Sequence, residues 1–164
     1  EQGKKKYDRS AFDLAAELRR LAGTHAPRLA EAGLELRVES PESVTVRTDR
    51  DAVEQIALNL LDNACKYAAP QSRITVTLQP ASWENCPGWL WQIDNQAGKA
   101  GLPDAEHLFE KYYRSPQARR LSGSGLGLFL VKGLLDLMQG TIRFEAQADH
   151  AVFTLWIPEK PAER

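Results

Sequence analysis

Apolar and polar positions along this chain recur with two periods, and these periods predict its elements. The clearest helical run begins near Asp51, where Val53, Ala57, Leu60, Leu61 and Ala64 share one wide apolar arc at about 100° per residue. Asn59, Asn63 and Lys66 fall on the opposite arc, with Tyr67 at its margin. Thr48 or Asp49 offers the N-cap, and the helix ends near Ala69 before Pro70. A second helix starts around Phe12, with Leu14, Ala15, Leu18, Leu21 and Ala22 on one side and Asp13 in its first turn. Gly23 and Pro27 either stop it near Ala22 or kink it. A third, strongly apolar helix covers Leu126–Met138 and halts at Gly140.

Strict alternation marks strands at Leu34–Glu39, Val44–Thr48, Arg73–Leu78, Thr141–Ala146 and Val152–Ile157, and Trp89–Asp94 is a further β-prone run. The first two read as a hairpin about Ser40–Ser43, the last two as a hairpin about Asp149 and His150. Ser82–Gly88 and Asn95–Pro103 read as loops, Ala105–Tyr113 as a short helix bearing Leu108 and Phe109, and Ser115–Gly125 as a basic surface loop. Strands paired in hairpins at both ends predict a mixed, mostly antiparallel sheet with about three helices on one face. That is an α+β two-layer sandwich. One domain is expected over residues 11–160, between a polar lead-in at 1–10 and a tail at 161–164.

Composition narrows the picture without changing it. A chain of 164 residues, 43% hydrophobic and 26% charged, is an ordinary globular domain. A net charge of −1 gives no argument for nucleic acid or an anionic membrane as a partner, and none is expected. Cys65 and Cys86 have no metal-ligand spacing, and Cys65 reads as a buried free thiol suited to a reducing cytosol. His25, His107 and His150 are scattered and read as surface or helix-end residues. No stretch approaches the roughly 20 apolar residues of a membrane span.

Chemistry enters with the two asparagines. Asparagine is a poor residue for a helix interior, so two of them one turn apart call for a role. Amide oxygens are hard, neutral ligands for Mg²⁺, and a lysine one turn on can meet a phosphate. Gly123-Ser124-Gly125-Leu126-Gly127-Leu128 runs into the third helix, where bare backbone and unpaired N–H groups suit an anion. No Gly-Lys-Ser/Thr ends it and no strand leads into it, which excludes a P-loop; the strand order, and a loop instead of a glycine-opened helix after Trp89–Asp94, exclude a dinucleotide fold. Asp94, at a strand end, can accept from an exocyclic amine such as that of adenine. Arg114, Arg119 and Arg120 can neutralise a polyphosphate.

In this order the motifs resemble those of the catalytic ATP-binding domain of bacterial sensor histidine kinases, in the ATPase-like family shared with gyrase, Hsp90 and MutL. Asp51–Tyr67 is similar to the N box, Leu108–Arg114 to the F box, and Gly123–Leu128 to the G2 box. The closing Gly140–Pro158 hairpin is also similar, and the likeness runs from about Ser10 to Pro158. It implies a Bergerat-type fold, with Mg²⁺ and ATP held between the central helix and a lid over Tyr112–Ser122. By this resemblance Asn63 coordinates Mg²⁺ and Asn59 lies beside the triphosphate, where the family's hydrolases carry a glutamate base. An amide cannot take a proton from water, which leaves transfer to an incoming histidine. Lys66 meets a phosphate, Tyr67 stacks near the adenine, and Asp94 takes its amino group. Arg114, with Lys111, reaches the γ-phosphate; Tyr113 belongs to the same segment; and Gly123, Ser124, Gly125, Leu126, Gly127 and Leu128 bring backbone N–H groups to the phosphates.

One box departs from the family pattern. Gln96 stands where the first glycine of Asp-x-Gly-x-Gly-Ile-Pro belongs, and Gly101-Leu102-Pro103 arrives three residues after Gly98, so either Gly98 or Gly101 fills the second glycine's place. No histidine here has the setting of a phosphoacceptor. The resemblance therefore implies that a dimerisation and histidine-phosphotransfer hairpin precedes Glu1 in a homodimeric parent in the bacterial inner membrane. This domain would then be cytoplasmic and monomeric alone, and a response regulator receiver domain would be served indirectly. The altered loop 95–103 supports an alternative, a nucleotide-binding or interaction module that no longer transfers phosphate. A serine kinase of the anti-sigma type is a third reading.

Overall fold

The computed structural model describes residues 8–98, 101–102, 108–110 and 127–160. Within them the elements run β1 (Ser10–Asp13), α1 (Leu14–Glu31), β2 (Glu35–Glu39), β3 (Thr45–Thr48), α2 (Arg50–Tyr67), β4 (Arg73–Trp83), β5 (Cys86–Gln96), α3 (Gly127–Leu137), β6 (Thr141–Gln147) and β7 (His150–Pro158). Five strands form one sheet in the order β2-β4-β5-β7-β6, and β1 pairs with β3 in a separate ribbon. Only β2 against β4 is parallel among these pairs. The architecture is the expected α+β sandwich.

Period two divides the large sheet into two faces. Ile74, Val76 and Leu78 of β4, Trp91 and Ile93 of β5, and Phe153, Leu155 and Ile157 of β7 are buried in the core with Leu60 of α2 and Leu135 of α3. Leu18 and Leu21 of α1 and Ala57 and Leu61 of α2 surround, with Trp91 and Ile93, a small apolar cavity of about 10 Å³. These residues identify the side of the sheet that the helices cover. The alternate positions, including Gln92 and Thr154, which share a 3.1 Å hydrogen bond, line the other side.

Several local expectations are corrected. Leu34–Glu39 and Val44–Thr48 do not form a hairpin: β2 joins β4 in parallel, Leu36 opposite Ile74, while β3 pairs with β1. Alternation reports which residues are buried but not which strand lies alongside. Arg19 of α1 binds the Glu42 and Pro41 carbonyls and Ser40 Oγ, which holds the Ser40–Ser43 connection against the helix instead of in a hairpin. Asp13 is the N-cap of α1 and not a first-turn residue, and its carboxylate accepts from the Ala16 and Val44 N–H groups.

Helix α1 neither stops at Ala22 nor breaks, although Pro27 lies inside it. The ring of Pro27 crowds the carbonyl four residues back, which belongs to Gly23, a position in open space. Buried Leu21 and Leu29 hold the two segments to the core. The Ser82–Gly88 loop contracts to a two-residue turn at Glu84 and Asn85, both left-handed (φ 51° and 63°), as tight hairpins require. Leu108 and Phe109 lie in a turn followed by Glu110, while residues 105–107, 111–113 and all of Ser115–Gly125 fall outside the described residues.

Candidate functional site

Helix α2 is anchored before it presents anything. Asp49 is almost wholly buried, and its carboxylate accepts from the N–H groups of Ala52 and Asp8, each at 3.1 Å. Ala52, Val53, Ile56, Ala57, Leu60, Leu61 and Ala64 are buried along the inner arc. The polar arc is therefore fixed in rotation. On it, Asn59 Nδ2 donates to the Gln55 carbonyl at 2.8 Å, which orients the amide. Its Oδ1 points at the start of α3: a Cβ placed on Gly127 would sit 3.1 Å from that oxygen. The bare Gly127 thus keeps a helix N-terminus and an amide oxygen close together, with half-buried Asn63 one turn further along α2.

This arrangement suits a phosphate-bound Mg²⁺, which takes oxygen ligands and keeps a partial shell of its own. Among the described residues no group of three or more His, Cys, Asp or Glu side chains converges on a metal site. A cation here would depend on amide oxygens and on a phosphate ligand. Lys66 is half-buried and its ammonium lies 3.1 Å from Asp62, one turn back, while Arg28 of α1 approaches the same carboxylate at 3.8 Å. The lysine and Arg28 thus share one carboxylate between α2 and α1. Burial raises the Cys65 thiol above its ordinary range, as expected for an unreactive cysteine.

The C-terminal end of α2 is stitched to the end of β5. Gly98 donates to the Tyr67 carbonyl at 2.7 Å, and Ala69 donates to the Gln96 carbonyl at 2.8 Å. A side chain on Gly98 would meet the Ala68 carbonyl oxygen at 2.7 Å. Gly101 stands in open space with φ +72° and donates back to Gly98 at 3.0 Å. Two glycines therefore divide the work: Gly98 permits close approach and Gly101 permits a left-handed turn.

The largest departure concerns Asp94. The strand does not end there but continues to Gln96, paired with β7 at every position from Gly88 to Gln96. Ile93 faces the helices, so Asp94 faces away from them and Asn95 faces in. Asp94 Oδ1 lies 2.7 Å from His150 Nδ1 on the outer face, and Gln96 donates to Asp149 at 3.0 Å on that same side. His150, read from the sequence as a surface histidine, has a part-exposed side chain and lies beside the Asp94 carboxylate. Asn95, only 1% exposed, takes the inward place two residues after Ile93. Continuing the alternation Trp91, Ile93, Asn95 would have found it.

Comparison with known proteins now decides the family. Residues 48–161 match the model described as "Histidine kinase-, DNA gyrase B-, and HSP90-like ATPase". The chain belongs to this ATPase family. Among curated relatives it is 36% identical over 151 residues to the swarming motility regulation sensor protein RssA of Serratia marcescens, covering 91% of this chain and 31% of that protein. It is 32% identical over 153 residues to the signal transduction histidine-protein kinase BaeS of Escherichia coli (strain K12), covering 87% and 30%. The chain thus spans under a third of either relative. In fold it resembles the mycobacterial sensor histidine kinase MprB, with a TM-score of 0.79 at 24% identity over 94% of this chain and all of that one. The catalytic domain of histidine kinase ThkA gives 0.80 at 21%, over 98% and 100%. The chain is an ATP-binding catalytic domain of the histidine kinase type.

Within this ATPase domain the structure brings Asn59, Asn63, Tyr67, Gly98 and Gly127 to the outer arc and the C-terminal end of α2. Phe109 of the F-box segment packs edge-on against Phe153, 6.4 Å between ring centres, and Leu108 is buried. Leu128 packs partly against the core. Lys111, Tyr113, Arg114, Gly123, Ser124, Gly125 and Leu126 lie outside the described residues.

Proposed function

We propose that this domain holds Mg·ATP on the Asn59/Asn63 side of α2 and delivers the γ-phosphoryl to a histidine on a separate dimerisation and phosphotransfer domain. The observation that carries this reading is the approach of Asn59 Oδ1 to Gly127, which sets an amide-lined helix face against a helix N-terminus. Asn63 would supply an oxygen to the cation, and Asn59 would stand beside the phosphates with its amide held by Gln55. Mg²⁺ supplies charge neutralisation on the phosphate oxygens when bound. Neither amide can take a proton from water, so the chain positions the phosphoryl group without activating a hydrolytic nucleophile. Lys66 would reach a phosphate only by leaving Asp62. Arg114 and Lys111 are proposed for the γ-phosphate, Tyr67 for the base, and Gly123, Ser124, Gly125 and Leu126 for backbone contacts to the phosphates.

Exposed Phe129, Leu130 and Leu137 on α3, beside Phe109, offer an apolar surface suited to the phosphotransfer domain. No described helix is long and apolar enough to cross a membrane. We place the domain on the cytoplasmic side of a membrane-bound, homodimeric parent whose phosphohistidine serves a response regulator. The test is autophosphorylation of the full-length parent with Asn63→Ala, which should be lost while the circular dichroism of the domain is kept; retained activity removes the Mg²⁺ assignment. The altered segment after Asn95 favours one other reading, a module that binds partners without phosphotransfer. Calorimetric titration with Mg·ATP separates them, since a folded chain giving no saturable heat would support the module.

A further inference from the structure

The end of β5 puts a buried amide where the nucleotide reading needs a base contact. Asn95 is 1% exposed and lies opposite Ala151, on the same face as Ile93 and Trp91. The junction of Gly98 with Tyr67 and Ala68 closes over the same end of the sheet. We infer that Asn95, not Asp94, meets the purine base, and that as an amide it admits 6-oxo purines as well as 6-amino ones. The inference rests on the nucleotide-binding reading above.

The register leaves Asp94 no route to that side. Pairing between β5 and β7 is continuous from Gly88–Pro158 to Gln96–His150, so turning Asp94 inward needs a one-residue slip of the strand. Such a slip would carry Ile93 and Trp91 out of the core. It would also break the 2.7 Å contact of Asp94 with His150.

The amide changes what the base position can discriminate. A carboxylate only accepts, so it selects a 6-amino group and repels a 6-oxo oxygen. A site committed to one hydrogen-bond polarity can reject the opposite one strongly. Asn95 carries both polarities. Its Nδ2 spends one hydrogen on the Gln96 carbonyl at 3.1 Å. Oδ1 can accept from a 6-amino group, and the second Nδ2 hydrogen can be given to a 6-oxo oxygen. The amide therefore discriminates weakly where a carboxylate would discriminate strongly.

The test is competition of ATP and ITP, each with Mg²⁺, against a fluorescent ATP analogue on this 164-residue chain. ITP replaces the 6-amino group with an oxygen. The wild-type dissociation constants should lie within about 10-fold of each other, the span of one neutral hydrogen bond. Asn95→Asp should widen the preference for ATP by at least about another 10-fold, the added weight of a charged acceptor. Asp94→Asn should leave the ratio unchanged. A larger wild-type preference for ATP, or its collapse in Asp94→Asn, overturns the assignment. Should Asn95→Asp fail to fold, the wild-type ratio and Asp94→Asn still decide. Failure to bind either nucleotide counts instead against the proposed function, and this inference goes with it.

Discussion

The two sides of the candidate site differ in how they are built. On the helix side, α2 presents Asn59 and Asn63 along an arc that seven buried residues and a buried cap hold in rotation. On the strand side, one residue separates the outer carboxylate of Asp94 from the inner amide of Asn95. A helix tolerates a small error of reading, because neighbours at three and four residues still share a face. A strand does not, because each step reverses the face. The same kind of pattern therefore gives the buried arc of α2 safely, whereas on β5 a single step separates an outward side chain from an inward one.

Substitutions on the two sides can break or sharpen this contrast. The largest effect belongs to the helix side: Asn63→Ala in the full-length parent should reduce autophosphorylation by more than about 100-fold, while in this domain the unfolding free energy from urea titration stays within about 0.5 kcal/mol of wild type, as for surface changes. On the strand side Gly98→Val should act through stability, because its Cβ would meet the Ala68 carbonyl at 2.7 Å. A loss of about 2 kcal/mol in urea unfolding is expected, the range of overpacking. Equal losses of activity and unchanged stability at both positions would erase the contrast.

Asp49→Ala removes the cap that fixes the rotation of α2 and should cost about 1 kcal/mol, measured the same way. Smaller still is Gly127→Ala. Alanine favours the helix by roughly 1 kcal/mol, yet the new methyl would crowd Asn59 Oδ1 at 3.1 Å. Stability should barely change, while ATP binding by calorimetry weakens by about fivefold, equivalent to about 1 kcal/mol. A Gly127→Ala protein that binds ATP as wild type does would show that this approach is not part of the site.

The helix layer should also respond to acid. The Val44 N–H, more than any other contact, holds the Asp13 carboxyl below its ordinary range. Glu17 is buried on α1 and is held low chiefly by the Arg20 guanidinium, with Arg50 adding to it. A carboxyl with a depressed folded value adds stability that is fully present above its unfolded value and is lost as pH falls through the folded one. Urea midpoints should therefore be level from pH 7 to about 5 and fall below about 4, where free carboxylates protonate. Asp13→Asn and Glu17→Gln should each flatten that fall.

Much of the fold was legible because burial leaves its period in the chain. The three helices, the strand segments and the helix-facing residues Ile74, Val76, Trp91, Ile93, Phe153 and Leu155 follow from that period. The cap at Asp49, the glycine-led start of α3 and the family likeness follow from residue type and order. Partners were not legible. Alternation does not say that β2 lies beside β4 instead of β3, nor that His150 lies beside Asp94, 56 residues away. It also does not say that Arg28 of α1 shares the Asp62 carboxylate with Lys66.

The sequence alone settles which residues are apolar, where helices begin and which motif order the chain carries, since these are local properties of side chains and backbone. Tertiary structure decides which face of β5 reaches the helices. That choice depends on where β7 pairs and where the strand stops, and both are set by contacts across the sheet. Which of two neighbouring side chains turns inward is decided there: Asn95 inside, Asp94 outside with His150.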